Sequence, residues 1–109
     1  MTETVSFSDF AKLELRIGKI MAVEPVEGTD KLYKLSVRLG EETRTLVAGL
    51  AESYAADELM GMKIVVVANL EPKSLKGIES QGMLLAADEN GTPVLLTPEK
   101  DVSDGTPIR

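Results

Sequence analysis

A change of phase within the first predicted strand constrains the fold of this chain more than any other feature. Apolar residues alternate with polar ones from Leu13 to Ile17, and they resume in the opposite phase from Ile20 to Val23. Alternation of this kind predicts a half-buried β-strand. Gly18 lies at the change of phase, so we expect a β-bulge or a sharp bend there. A long strand that bends can pair in both halves of a small barrel.

The other predicted elements are short, and turns rich in glycine, proline or charged residues separate them. A helical turn around Phe7 and Phe10, capped by Ser6 or Ser8, precedes the first strand. The later elements are strands at residues 32–39, 43–50, 62–68, 81–87 and 94–97, and a short helix at residues 51–60. Residues 69–79 are predicted to form a loop, and the tail from residue 98 is acidic and rich in turns.

The order of these elements predicts an all-β fold. Three strands, a short helix and two further strands are the order of a five-stranded Greek-key barrel of the OB type, with the helix between strands 3 and 4. The segments before and after the barrel are small N- and C-terminal additions. Other small β-barrels share the pattern and stay open as alternatives. A length of 109 residues predicts a single domain over residues 1–109.

The composition argues against catalysis and against a membrane span. The chain has no histidine and no cysteine, so the usual general base, the usual zinc ligands and thiol nucleophiles are absent. We therefore expect a protein that is not an enzyme and needs no cofactor or metal. The longest apolar runs, residues 64–68 and 83–87, are far shorter than the ~20 residues of a transmembrane helix. Without a signal peptide, we expect a cytoplasmic protein, and Met1 with its short polar lead favours a complete chain.

Charge is distributed unevenly along the chain. With 12 basic and 18 acidic residues the net charge is −6, which argues against nucleic-acid binding by bulk electrostatics. Residues 61–86 nevertheless carry Lys63, Lys73 and Lys76 against two glutamates. A face that includes this segment can contact phosphates locally. The alternative is that these are ordinary solvated lysines.

Three motifs in the chain resemble the tRNA-binding domain family. The first is residues 9–20, DFAKLELRIGKI, followed by residues 30–35, DKLYKL. The second is residues 59–73, LMGMKIVVVANLEPK, and the third is residues 77–87, GIESQGMLLAA. The likeness covers residues 9–97 and is greatest to the domain at the C-terminus of methionyl-tRNA synthetases. The family also includes free-standing structure-specific tRNA-binding proteins and the endothelial monocyte-activating polypeptide.

The resemblance implies an OB-fold homodimer that binds tRNA largely by shape and assists aminoacylation. A methionyl-tRNA synthetase catalytic chain is a further implied partner. The positions at which the family contacts tRNA correspond here to Lys31, Arg44, Asn69, Lys73, Lys76, Ser80, Gln81 and Met83. For Met83 a place in the core remains the alternative. The apolar residues of the two terminal segments, predicted to join the dimer surface, are Phe7, Phe10, Val102 and Ile108.

Two departures from the family pattern bear on affinity. Residues 26–29, Val-Glu-Gly-Thr, stand where the family usually has His-Pro-x-Ala, and Ala48 and Gly49 stand where it commonly has Ser-Gly. The first change removes a polar contact, adds Glu27 and, through Gly28, predicts a more flexible loop. Two alternatives to tRNA binding remain. One is a secretion-associated chaperone of the same barrel family that binds unfolded peptides, although such relatives diverge from the third motif. The other is a barrel that serves only as a dimerisation unit in a larger assembly.

Overall fold

The computed structural model describes residues 2–109, and within them the chain forms two short helices and ten strands. The helices are α1 (Phe7–Phe10) and α2 (Ala56–Leu59). The strands, in chain order, are β1 (Leu15–Pro25), β2 (Tyr33–Leu39), β3 (Glu42–Ala48), β4 (Lys63–Val67), β5 (Lys73–Leu75), β6 (Ile78–Ser80), β7 (Met83–Leu84), β8 (Ala86–Glu89), β9 (Thr92–Leu95) and β10 (Pro107–Ile108). Ser6 caps α1 as predicted, since its hydroxyl accepts a hydrogen bond from the Asp9 amide at 3.1 Å.

The longest strand, β1, belongs to both halves of the main sheet. Its first half pairs with β4, from Leu15 opposite Val67 to Lys19 opposite Lys63. Its second half pairs with β2, beginning at Lys19 opposite Arg38. The resulting strand order is β3-β2-β1-β4-β7, with β10 also paired to β1. The sheet curls into a half-barrel, and the predicted all-β fold of the OB type is confirmed.

The irregularity in β1 lies at Met21, and the prediction of a bulge at Gly18 is wrong. The pairing of β1 with β2 shifts between Ile20 and Ala22, whereas Gly18 lies in regular register with β4. The glycine has a packing role instead. A Cβ atom at Gly18 would lie 2.5 Å from Val37 Cγ1, so this strand position has no room for a side chain.

The core fills the inside of the curled sheet with aliphatic side chains. The most deeply buried of these are Ile20, Leu35, Val37, Leu39, Leu46, Leu50, Leu59, Ile64 and Val66. Tyr33 Oη donates to the Tyr54 carbonyl at 2.7 Å, and Tyr54 Oη accepts from the Leu95 amide at 3.1 Å. The Tyr54 amide also donates to the Leu50 carbonyl at 2.9 Å. Because these bonds fold residues 50–54 into a turn, α2 begins at Ala56 and not at residue 51 as predicted.

The C-terminal half differs from the prediction in three places. The predicted loop at residues 69–79 contains the hairpin of β5 and β6. The predicted strand at residues 81–87 is divided into β7, which pairs with β4, and β8, which pairs with β9. The tail, predicted to be acidic and rich in turns, ends in the short strand β10, which pairs with β1. The first difference matters most for function, because the hairpin carries Lys73 and Lys76.

Aspartates of the C-terminal tail fasten it to the main sheet. Asp104 accepts two hydrogen bonds from the Arg38 guanidinium, at 3.0 and 3.2 Å, and one from the Gly40 amide at 3.0 Å. Asp101 pairs with Lys63 Nζ at 2.7 Å. The Arg38 guanidinium, mainly through its hydrogen bonds, lowers the pKa of Asp104 from 3.8 to about 2. The tail is thereby tied to β2 and β4.

The lowered pKa of Asp104 makes the stability of the fold depend on pH in acid. A carboxyl group whose pKa is lower in the folded chain stabilises that chain above pH 3.8, and the contribution is lost as the pH falls toward 2. We expect Asp104→Asn to lower the free energy of unfolding by about 1–2 kcal/mol near neutral pH. The difference from the parent should shrink as the pH falls from 3.8 toward 2.

Urea unfolding across this pH range measures the effect. Glu99→Gln is the matched control, because it also removes one negative charge from the tail and should change stability by less than ~0.5 kcal/mol. Equal stability of Asp104→Asn and the parent near neutral pH would contradict this role.

Candidate nucleic-acid interface

The β5–β6 hairpin presents the two lysines that were predicted for a loop. The strands pair in antiparallel register, with Lys73 opposite Ser80. Lys76 and Gly77 form the turn, with φ angles of 52° and 80°. Positive φ at both turn residues gives the twist that two-residue hairpin turns require. Lys73 and Lys76 are both exposed, so the hairpin carries two ammonium groups into solvent.

The exposed lysines of the predicted face lie outside the ion pairs of the described chain. Within residues 2–109, the ion pairs join Lys12 to Asp9, Arg16 to Glu14, Arg38 to Asp104, Arg44 to Glu42 and Lys63 to Asp101. Lys31, Lys73 and Lys76 are exposed and belong to none of these pairs. Their ammonium groups can therefore meet a polyanion without first breaking an ion pair.

Ser80 and Gln81 make their polar contacts within the chain. Ser80 is 5% exposed, and its hydroxyl accepts from the Val47 amide at 3.0 Å and donates to the Gly82 carbonyl at 3.1 Å. The side-chain oxygen of Gln81, Oε1, accepts from the Thr45 backbone amide at 3.0 Å. The backbone amide of Gln81 donates to the Thr45 carbonyl at 2.8 Å. These bonds satisfy the amide and carbonyl of Thr45 and the amide of Val47 in β3. The end of the hairpin is thus attached to the edge of the sheet.

Asn69 holds the start of the hairpin in a similar way. Its Oδ1 accepts from the Glu14 amide at 2.7 Å, and its Nδ2 donates to the Lys12 carbonyl at 2.6 Å. The side-chain amide therefore joins the end of β4 to the segment that precedes β1.

Arg44 crosses the base of the hairpin from β3. Its Nη1 donates to the Ala68 carbonyl and to the Gln81 carbonyl, the second at 3.3 Å. Its Nη2 donates to Glu42 Oε1 at 3.0 Å. Ala68 and Gln81 are the residues immediately before and after residues 69–80, which we call the hairpin segment. One guanidinium thus bonds to both ends of the hairpin segment.

Seven of the eight predicted tRNA-contacting residues therefore fall into two groups. Arg44, Asn69, Ser80 and Gln81 surround the base of the hairpin and bond to backbone groups. Lys73, Lys76 and Met83 are exposed around it. Met83 is 50% exposed in β7, so it lies on the surface and not in the core. Lys31 is exposed in the β1–β2 connection, where its carbonyl accepts from the Ala51 amide at 3.0 Å, and it is not part of the cluster at the hairpin base.

The turn that departs from the family pattern is closed by its own hydrogen bonds. Thr29 Oγ1 donates to the Val26 carbonyl at 2.9 Å and accepts from the Leu32 amide at 3.3 Å. Gly28 has a φ of 82°, which glycine adopts without strain. Val26 is buried. The residues that replace the family pattern here fasten the turn to itself and to the core.

The two terminal segments meet in an apolar groove of about 470 Å³. Three of the residues predicted for a dimer surface, Phe7, Phe10 and Ile108, line this groove. The helix α1 has no buried residue, and Phe7 is 81% exposed. The fourth predicted residue, Val102, does not line the groove, and its carbonyl accepts a hydrogen bond from Lys63. The structure thus brings three of the four residues together.

Two further properties of residues 2–109 concern metal binding and the crossing of a membrane. No group of three or more acidic side chains that could hold a metal ion occurs within residues 2–109. Neither helix in that range has the length and apolar character needed to cross a membrane. The shifted pKa values of Arg38, Asp101 and Asp104 arise from the tail contacts. The chemistry of the face itself is that of ammonium groups beside an exposed thioether.

Comparisons with known proteins agree on one family. Residues 15–107 match the family described as "Putative tRNA binding domain". A methionine–tRNA ligase of Pyrococcus horikoshii is 54% identical over 107 residues, which are 98% of this chain and 15% of that enzyme. The chain thus spans only a small part of the length of the curated relative that it matches.

Solved structures share the whole architecture. A methionyl-tRNA synthetase-related protein from Pyrococcus horikoshii superposes with a TM-score of 0.93 and 37% identity, covering 99% of this chain and 100% of that one. The chaperone CsaA from Bacillus anthracis superposes with a TM-score of 0.91 and 32% identity, covering 98% of this chain and 100% of that one. Because the family match spans nearly all of the barrel and the ligase is identical at more than half of the aligned positions, the chain belongs to the tRNA-binding domain family.

Proposed function

We propose that this tRNA-binding domain contacts tRNA through the β5–β6 hairpin and the adjoining surface of β7, and that it catalyses no reaction itself. The observation that carries the proposal is the pair of exposed lysines, Lys73 and Lys76, on a hairpin fastened to a barrel of this family. Lysines contact phosphates as point charges. Met83, on the strand beside the hairpin, offers an adaptable apolar surface to a base or a sugar.

The acidic body of the domain limits binding to this local face. A net charge of −6 repels a polyanion as a whole, so only a few phosphates are contacted. Each contact releases counterions and contributes about −0.7 to −0.9 to the slope of log affinity against log salt. We therefore expect a slope of roughly −2 to −4.

We also propose that the domain acts with a methionyl-tRNA synthetase catalytic chain. Two observations support this proposal. The chain belongs to the tRNA-binding domain family, and it is 54% identical to a region that makes up 15% of the P. horikoshii methionine–tRNA ligase. A module that only adds tRNA binding lowers the KM for tRNA and leaves kcat unchanged. The absence of histidine and cysteine agrees with this accessory role, since the usual bases and nucleophiles are missing.

We further propose that two copies of the domain pair across the apolar groove. A four-residue helix is too short to be stable in isolation, and α1 buries none of its residues within its own chain. Glu14, Arg16 and Arg109 bring both signs of charge to the groove, so the surface can match itself across a two-fold axis. A stable interface of this kind buries at least ~1,000 Å² in total.

Filter binding of total tRNA to lysine variants tests the assignment of the face. Lys73→Ala and Lys76→Ala should each weaken binding roughly tenfold at low salt and flatten the salt slope by about one contact. Lys100→Ala, which removes one positive charge from the tail, is the matched control and should bind as the parent does. In aminoacylation assays with the synthetase, the double lysine variant should lose the reduction in KM.

A double variant that binds tRNA as well as the parent at low salt would overturn the choice of the hairpin. The similarity to the CsaA structure supports the chaperone alternative, which makes a different prediction. It requires the domain to suppress aggregation of denatured protein, and that suppression should not depend on Lys73 and Lys76.

A further inference from the structure

The hairpin segment would be a mobile loop if its two ends were not held together. It contains only the short pairing of β5 with β6, and its turn and strands are largely exposed. Ordering such a loop on binding costs conformational entropy, which lowers affinity unless the free protein already holds the loop in place. The contacts at its base therefore bear directly on the affinity of the lysines that it carries.

We infer that Arg44 is a positioning residue that closes the base of the hairpin segment and so fixes the position of Lys73 and Lys76. This inference rests on the proposed function of the hairpin. Both carbonyls that bracket the segment, those of Ala68 and Gln81, accept from the same Nη1. A single side chain thus links the two ends of the segment, which Asn69, Ser80 and Gln81 attach separately to the rest of the chain.

Arg44 is anchored well enough to act as a fixed point. It lies within β3, directly opposite Val37 of β2, and all of β3 is paired with β2. Its Nη2 bonds to Glu42 Oε1 at 3.0 Å, which sets the plane of the guanidinium. Ser80 and Gln81 add to the anchor, because their side chains bond to the Val47 and Thr45 amides of the same strand.

The chemistry of this contact requires arginine. Nη1 donates to two carbonyls, and the planar fork presents Nη2 to a carboxylate at the same time. A lysine keeps the positive charge but has a single ammonium on a flexible stem, so it does not reproduce this geometry. A residue that only contacts phosphate would, in contrast, tolerate the exchange.

We call the link that Arg44 makes between the two ends of the hairpin segment the clamp. Arg44→Lys distinguishes a residue that acts as this clamp from a residue that contacts phosphate directly. We expect this variant to bind tRNA roughly tenfold more weakly than the parent at low salt, with the salt slope unchanged. In the free protein, amide hydrogen exchange of Thr45, Val47 and residues 69–80 should become faster. Lys100→Arg, an exchange of the same two residue types at an exposed tail position outside the face, is the matched control, and both its affinity and its exchange should stay near those of the parent.

Two further measurements complete the test. Combined with Lys73→Ala and Lys76→Ala, Arg44→Lys should cause no additional loss of affinity, because a positioning residue acts through the lysines that it positions. Arg44→Gln, which removes the charge, should leave the salt slope unchanged. If Arg44→Gln instead flattens the slope by about one contact, Arg44 touches phosphate directly and the clamp is wrong.

The remaining outcomes are also decisive. Parent-like affinity and parent-like exchange in Arg44→Lys would refute the clamp. Faster exchange in Arg44→Lys, with tRNA binding unchanged both there and in the double lysine variant, would uphold the clamp as a contact of the free protein. That last result would overturn the proposed function of the hairpin.

Discussion

Replacing Gly18 by valine is expected to lower the free energy of unfolding by about 2–4 kcal/mol, because the new side chain has no space in the core. A Cβ atom at this position would lie 2.5 Å from Val37 Cγ1 and 3.0 Å from both Leu39 Cδ2 and Val66 Cγ2. These neighbours belong to β2 and β4, the two strands that β1 joins. Relief of the clash therefore requires these core side chains, or the strands that carry them, to move.

Chemical unfolding of Gly18→Ala and Gly18→Val measures this effect, and the valine variant should be the less stable. Gly49→Ala is the matched control, since a Cβ atom there meets nothing within 4 Å and its φ is not in the left-handed region. We expect Gly49→Ala to change stability by less than ~1 kcal/mol, with a small gain from a stiffer unfolded chain. A Gly18→Val variant as stable as the parent would show that the barrel can open at this point without cost.

If two copies pair across the groove as proposed, Phe7→Ser combined with Phe10→Ser is expected to leave the protein monomeric at micromolar concentration. Aromatic residues at the centre of an interface often contribute 2 kcal/mol or more each, so losing both should raise the dissociation constant by roughly a thousandfold. The fold should be unaffected, because α1 contains no residue that is buried within its own chain. Light scattering measures the mass directly.

Met60→Ser is the matched control for the dimer, because Met60 is also half exposed and lies outside the groove. Its mass should equal that of the parent. Deletion of residues 1–12 should weaken the dimer in the same way as the double serine variant. If light scattering gives the parent protein the mass of a single chain at micromolar concentration, the proposed dimer is wrong.

The parts of the fold that the sequence predicts well are those in which burial determines the pattern. Strands β2 and β4 show this: β2 alternates between core and surface, and β4 contains the buried residues Ile64, Val66 and Val67. The change of phase predicts a β-bulge or a sharp bend at Gly18, because glycine is common at such sites. In the structure that glycine allows close packing, and the irregularity occurs three residues later, at Met21.

The hairpin of β5 and β6 left only a weak signal in the sequence. Two-residue turns of this type usually contain Asn-Gly or Asp-Gly, whereas here Lys76 adopts the positive φ before Gly77. Each strand has three residues, too few to show a clear period. The turn could have been recognised from Gly77 between the apolar residues Leu75 and Ile78, but the preceding Pro72 favours a loop.

The division of the candidate site into side chains that bond within the chain and side chains that extend into solvent could not be predicted from the sequence alone. Asn69, Ser80 and Gln81 are polar residues in a motif, and a sequence pattern does not distinguish a side chain that awaits a ligand from one that bonds to distant backbone. Apart from the bond of Ser80 to the Gly82 carbonyl, the partners of these side chains are 33 to 57 positions away along the chain. Only the topology brings them together, and only burial shows that Ser80 is inaccessible.

The side-chain bonds along β3 also affect how the molecule behaves at high concentration. Strand β3 is the last strand of the main sheet on its side, and open amides on such a strand invite a strand of another molecule to add to the sheet. Ser80 Oγ and Gln81 Oε1 occupy the amides of Val47 and Thr45. Ser80 and Gln81 therefore also cover the open edge of the sheet. A variant without these two side chains exposes backbone amides that another molecule can pair with, which favours β-aggregation.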